Sequence, residues 1–67
     1  MKIEVNGEPL DTSARCVADL VCEVLGDTSQ DGVAVAIANA VVRRSEWSTA
    51  LVREGDRVEV IRAVGGG

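Results

Sequence analysis

The sequence contains no histidine, tyrosine or phenylalanine, and it has a single tryptophan. Acid–base and nucleophilic catalysis usually depends on histidine, on tyrosine, or on a serine or cysteine paired with a base. No such pair stands at a recognisable spacing, and the 11 carboxylates are spread along the chain, as on a solvated surface. These absences argue against a free-standing enzyme.

Cysteine is also scarce, with only Cys16 and Cys22. Both fall in one predicted helix, so a disulfide between them would require that helix to unwind. Their spacing is not that of a CxxC redox or zinc motif, and without histidine the ligands are too few for a zinc site. We expect no metal site, and we expect Cys16 to be a structural, mostly buried residue.

Long hydrophobic runs are missing. The longest, from Val33 to Ala38 and then from Ala40 to Val42, is too short to span a bilayer. The chain enters an alternating pattern at Lys2 without the basic and apolar regions of a signal peptide. We expect no membrane segment and a cytoplasmic location.

Basic residues are few and scattered, and the formal net charge is −4. Neutralising nucleic-acid phosphates requires clustered lysine and arginine, but Arg43-Arg44 is the only adjacent pair. The charge balance argues against a nucleic-acid partner. It suits docking on basic protein surfaces.

The first half of the chain predicts a hairpin followed by a helix. Ile3 and Val5 alternate with charged residues before the turn signal Asn6-Gly7, and Pro9 then suits a strand at the edge of a sheet. Apolar residues recur with helical spacing from Val17 to Leu25, and Gly26 can end that helix in the left-handed conformation. Two positions are open for the start of the helix, a cap at Cys16 or a start nearer Ser13.

The second half predicts strands. The segment 33–38 alternates larger apolar residues with alanine, which suits a central strand covered on both faces. A turn at Asn39-Ala40 leads to a short strand at Val41-Val42, a helical turn at Ser45-Glu46-Trp47, and a Gly55-Asp56 turn. In the last strand Val58 and Val60 face one side and Ile61 and Ala63 the other. With 67 residues, the chain is one α+β domain in which a single helix packs on a mixed sheet.

Three glycines, Gly65, Gly66 and Gly67, end the sequence. Glycine contributes no packing and loses the most entropy on ordering, so this run does not stabilise a strand. A bare glycine tail can thread a narrow channel of a partner enzyme and present its carboxylate to a nucleotide. The alternative is an incidental frayed end, and the tail alone leaves both open.

Several stretches follow one another in an order typical of one family. They are Met1-Lys2-Ile3 with Asn6-Gly7, the helix from Val17 to Leu25, the strand from Val33 to Asn39, the segment from Val41 to Trp47, and Gly55 to Val60 ahead of Gly66-Gly67. The most specific are the VAIAN strand, the Arg-x-x-Trp stretch and the Gly-Asp turn before the diglycine. Over essentially the whole chain they resemble the ThiS family, the sulfur carriers of thiamine biosynthesis.

This resemblance implies a β-grasp (ubiquitin-like) fold of four to five strands with one main helix, in which residues 1–64 form the domain and residues 65–67 a flexible tail. It implies that an E1-like adenylyltransferase of the ThiF type activates Gly67 with ATP and that a persulfide donor converts it to a thiocarboxylate. A thiazole synthase of the ThiG type then takes the sulfur. The chain itself would bind no cofactor, and Gly66 and Gly65 would supply the slender reach.

The sequence departs from the family at Cys16, where a threonine cap is common, and at Gly65, which precedes the diglycine. Trp47 is interpreted as an anchor at the edge of the core. Ile61, Ala63 and Val64 are candidate partner-binding residues beside the tail, although an ordinary surface is an equal alternative.

Rival functions remain at this stage. The small subunit of molybdopterin synthase shares the fold and the diglycine, but it is usually longer and richer in phenylalanine. A carrier for another sulfur pathway would look much the same. An alternative from a different class of function is an interaction module or a protein tag that forms isopeptide bonds.

Overall fold

The computed structural model describes residues 1–26 and 32–62 and shows a five-stranded sheet with one helix on one face. The strands are β1 (Lys2–Val5), β2 (Glu8–Asp11), β3 (Val33–Ile37), β4 (Ala40–Val42) and β5 (Arg57–Arg62). The helix, α1, covers Val17–Leu25, and a short 3-10 turn covers Arg44–Glu46. The predicted α+β arrangement is confirmed.

The sheet is mixed, with strand order β2-β1-β5-β3-β4. β1 and β5 are parallel, and the other neighbouring pairs are antiparallel. The last strand therefore occupies the centre, and β2, which contains Pro9, lies at an edge as predicted. An edge strand tolerates proline because it has a neighbour on one side only, so the missing proline N–H costs the sheet no hydrogen bond.

The helix has the ends that the sequence predicts. Gly26 follows it with φ 73°, and its N–H donates to the carbonyl of Cys22, a left-handed cap that glycine adopts without steric cost. Cys16 occupies the N-cap position, where its side chain makes no capping hydrogen bond. The alternative start near Ser13 is wrong, since the preceding chain is held in an extended conformation by a bridge between Cys16 and Leu51.

The core lies between α1 and the inner face of the sheet. Leu20, Val17 and Val21 of the helix are fully buried, as are Val58 of β5 and, almost entirely, Val35 of β3. Aliphatic side chains thus supply most of the packing, as the composition predicts.

Trp47 closes the core at one edge, as predicted. It is 3% exposed, and its indole N–H donates to the carbonyl of Val42 at 3.0 Å. The guanidinium of Arg44 lies 5.6 Å from the ring centroid, within cation–π range.

Two details of the second half differ from the prediction. β3 is interior in the sheet but is covered on one face only, because the single helix leaves the opposite face, with Ala34, exposed. The turn between β3 and β4 lies at Ala38 and Asn39, both with positive φ, so Ala40 already belongs to β4. Because Ala38 and Ala40 on either side of Asn39 are the same residue type, the sequence does not show which of them belongs to the turn.

Candidate functional site

The predicted reactive residue, Gly67, lies outside the described residues, together with Gly65 and Gly66 of the tail and the predicted contact residues Ala63 and Val64. The described chain ends at Arg62, the last residue of β5. The site is therefore defined by how the fold presents the strand that leads into the tail.

β5 is anchored in the centre of the sheet. Its inward side chains Val58 and Val60 are 0% and 6% exposed. The strand is therefore packed into the core as far as Val60, three positions before residue 63. β3 pairs along it through Ile37↔Val58, Val35↔Val60 and Val33↔Arg62, among other positions. A buried central strand is among the least mobile parts of a small fold, and it gives the tail a fixed origin.

The other side of β5 is held by β1 and by one side chain. The N–H of Asn6 donates to the carbonyl of Val58 at 2.9 Å. The Asn6 carboxamide also makes two hydrogen bonds with the backbone of Val60. Nδ2 of Asn6 donates to the Val60 carbonyl at 3.0 Å, and the Val60 N–H donates to Oδ1 of Asn6 at 2.9 Å. These bonds hold β5 at Val60, two positions before its last residue, Arg62.

The outer face of the sheet carries an apolar patch beside this strand. Because Val58 and Val60 face the helix, the alternation of a strand turns Ile61 to the opposite face, as predicted, where it is 58% exposed. Residues paired directly across strands share a face, and the pairs Ala34↔Ile61 and Ala36↔Val41 continue the surface to β4. Val41 is 76% exposed. We call Ile61, Ala34, Ala36 and Val41 the outer patch.

Charged residues border the outer patch. Glu59 pairs with Ala36 in register, and Arg57 makes an ion pair with Glu4 at 3.3 Å between Nε and Oε2. An apolar centre with charged residues at its edge is the composition of many protein–protein interfaces.

Within residues 1–26 and 32–62, no three histidine, cysteine, aspartate or glutamate side chains are grouped to hold a metal ion. Cys16 is half-buried, less than the mostly buried position expected from the sequence, and Cys22 is exposed; no disulfide joins the two. None of the described helices is long and apolar enough to cross a membrane.

A groove of about 350 Å³ lies between the first hairpin and the end of α1. Val5, Leu10 and Val24 line it, and the carboxylates Glu8 and Glu23 add charge. Glu23 accepts a hydrogen bond from the Thr12 hydroxyl at 2.7 Å, and the same hydroxyl accepts the N–H of Ala14. That carboxylate therefore ties the helix to the end of β2, which is a structural role.

Sequence reasoning identified Ile61 but missed the rest of the outer patch and the role of Asn6. The pattern Asn6-Gly7 indicates a hairpin, but nothing local indicates that the side chain reaches a strand 54 positions later. Val41 stood in a predicted strand, and only its pairing with Ala36 shows which face it occupies.

The comparisons with known proteins converge on one family. The model of the ThiS family matches residues 2–67. The chain is 30% identical to the sulfur carrier protein ThiS of Escherichia coli, with all of both chains covered. It is also 36% identical to a thiazole synthase of Magnetococcus marinus, where the match covers all of this chain but 20% of that protein.

Solved structures agree with the sequence comparisons. The crystal structure of the thiamine biosynthesis protein ThiS from Geobacter metallireducens superposes with a TM-score of 0.79 at 28% identity, over 100% of both chains. A solution structure of a thiamine biosynthesis protein from the same organism gives a TM-score of 0.77. Fold, family model and full-length relative coincide, and the chain therefore belongs to the ThiS family and has its β-grasp fold.

Proposed function

We propose that this chain is a sulfur carrier protein of thiamine biosynthesis whose Gly67 carboxylate becomes a thiocarboxylate. The observation that carries the proposal is the anchored central strand β5, which leads within five residues to a terminus of three glycines. Family membership supports the pathway, since the full-length relative is named a sulfur carrier protein.

The chemistry follows from the reactivity of a carboxylate. A free carboxylate is a poor electrophile, and attack of its oxygen on the α-phosphate of ATP, with release of pyrophosphate, makes it an acyl adenylate. A persulfide attacks the acyl carbon and releases AMP, and a thiol then cleaves the resulting acyl disulfide to leave the thiocarboxylate. The nucleotide and the persulfide belong to partners, so the chain works as their co-substrate, with no cofactor of its own and no catalytic residue.

Two partners are proposed. An E1-like adenylyltransferase of the ThiF type activates Gly67, and a thiazole synthase of the ThiG type accepts the sulfur. The second partner is supported by the similarity of this whole chain to a fifth of a protein named thiazole synthase. The proposed location is the cytoplasm, where thiols such as those of Cys16 and Cys22 stay reduced.

The length of the tail limits where the adenylyltransferase docks. Gly67 lies five positions after Arg62, and a fully extended chain of five residues spans at most about 18 Å. An enzyme with its active site at Gly67 must therefore come close to the end of β5. The outer patch begins there, at Ile61, and we propose that it contacts the adenylyltransferase.

The direct test of activation is ATP–pyrophosphate exchange with a ThiF-type adenylyltransferase proven on another carrier. Exchange that appears only when this chain is added supports the proposal. A chain that stays folded yet never stimulates exchange would oppose the activation step.

Replacement of Ile61 by aspartate is predicted to weaken docking. A carboxylate at the start of the outer patch must be desolvated on binding without a designed counter-charge, so KM for the carrier should rise about tenfold or more. The kcat of exchange should change little, because the tail is intact. Exchange kinetics at varied carrier concentration measure both constants.

Leu51→Asp provides the matched control. Leu51 is 59% exposed, as Ile61 is 58% exposed, but it lies outside the named strands. Its replacement should leave KM near the wild-type value. Equal effects of the two variants would remove the outer patch from the docking surface.

A further inference from the structure

Asn6 completes the pairing between β1 and β5 with its side chain. The parallel register of these strands ends at Val5↔Val58. Beyond that point the Asn6 carboxamide takes the place of a backbone peptide, because it offers one donor and one acceptor to the N–H and carbonyl of Val60. The bonds of 3.0 and 2.9 Å have ordinary backbone geometry.

The backbone at Asn6 makes this reach possible. Its φ is 51°, in the left-handed region that asparagine adopts more readily than most residues. The main chain turns at Asn6 into the hairpin with β2, while the Asn6 side chain extends along β5 and continues the hydrogen bonding between β1 and β5. One residue thus ends β1 and extends its hydrogen bonding along β5.

We propose that Asn6 is a positioning residue for the reactive terminus, an inference that rests on the proposed function. Both backbone polar groups of Val60 bond to Asn6, and Val35 of β3 lies opposite Val60 in the antiparallel register. The carboxamide therefore holds the end of β5 in the sheet and fixes the point from which the tail begins. A tail that departs from a fixed strand loses less conformational freedom when it enters an enzyme channel than one that departs from a frayed strand.

The Asn6→Gly variant isolates the carboxamide. Glycine accepts a φ of 51° without strain, so the hairpin turn is kept and only the two side-chain bonds are lost. In the free protein, hydrogen exchange of the Val60 amide should accelerate by about tenfold or more, since its partner Oδ1 is gone. This readout needs no enzyme.

Activation kinetics test the positioning role itself. With a ThiF-type adenylyltransferase, KM for the Asn6→Gly carrier should rise by about tenfold while kcat stays near the wild-type value, because the disorder is removed once the tail is bound. A merely structural asparagine would leave KM unchanged under conditions in which the variant is fully folded.

Two controls separate positioning from stability and from turn chemistry. Asn39→Gly removes another asparagine at positive φ, whose side chain makes no hydrogen bond within the described part of the chain. Val52→Ala lowers stability at a buried position before β5. Both variants should keep the wild-type KM.

An Asn6→Gly carrier with wild-type KM, or a Val52→Ala carrier with an equally raised KM, would overturn the positioning role. A wild-type chain that is not activated at all would instead overturn the proposed function, and the inference would fall with it. Activation of the wild-type chain distinguishes the two failures, and hydrogen exchange of the Val60 amide reports on the Asn6–Val60 hydrogen bonds in either case.

Discussion

Deletion of Gly67 is expected to abolish adenylation while leaving the domain folded. The shortened chain still ends in a glycine carboxylate, Gly66, so the loss comes from reach and not from chemistry. One residue fewer withdraws the carboxylate by up to about 3.5 Å. Because a displacement of about 1 Å in a reacting group can cost about 100-fold, exchange should fall at least that far.

Gly66→Val should give a similar loss for a different reason. A β-branched side chain widens the tail and restricts its backbone angles, so it no longer fits a channel shaped for glycine. Gly65→Ala is the matched control, because it adds one methyl group farther from the reacting carbon, and it should retain most of the activity. Trp47 fluorescence and circular dichroism establish that each variant is folded.

Normal activation of either disruptive variant would contradict the assignment of the terminus. If deletion of Gly67 were harmless, the reactive group would not be at a fixed distance from β5. If Gly66→Val were harmless, the tail would not need to be slender.

Replacement of Leu20 by alanine should act through stability alone. Leu20 is 0% exposed and contacts the sheet from the buried side of α1. Truncation of such a leucine costs about 2–5 kcal/mol, and a domain of this size has only about 3–5 kcal/mol in total. A large fraction of the variant should be unfolded at room temperature.

Urea unfolding followed by Trp47 fluorescence measures this effect, since Trp47 is buried in the native state. Val24→Ala on the same helix is the control, because Val24 is only partly buried and should cost clearly less. A loss below about 1 kcal/mol for Leu20→Ala would mean that the helix is not packed as described.

The sequence predicts local structure well where periodicity and turn chemistry agree. Val17 to Leu25 forms the predicted helix, and Gly26 ends it. The hairpin at Asn6-Gly7 and the inward orientation of Val58 and Val60 also follow from local patterns. Each depends on neighbours within a few positions, which is the information that a periodic pattern contains.

Arrangements between distant segments were not predictable in this way. The parallel pairing of β1 with β5 joins the two ends of the chain, and the Asn6 carboxamide acts across the same distance. The alternation in β3 indicates that larger residues occupy one face of the strand and alanines the other, but it does not show whether anything packs on the alanine face. Ala34 was therefore expected to be covered, and it is exposed. The outer patch consequently appears only once the strand order is known.

The chemical state of the Gly67 carboxylate is measured directly by the intact mass of the protein. The protein is incubated with ATP, a ThiF-type adenylyltransferase and a persulfide donor, beside a sample without ATP. A sulfur carrier should show an ATP-dependent gain equal to the mass difference between sulfur and oxygen, and the variant without Gly67 should not show it. An unchanged mass, with partners proven active on another carrier, would contradict the proposed function.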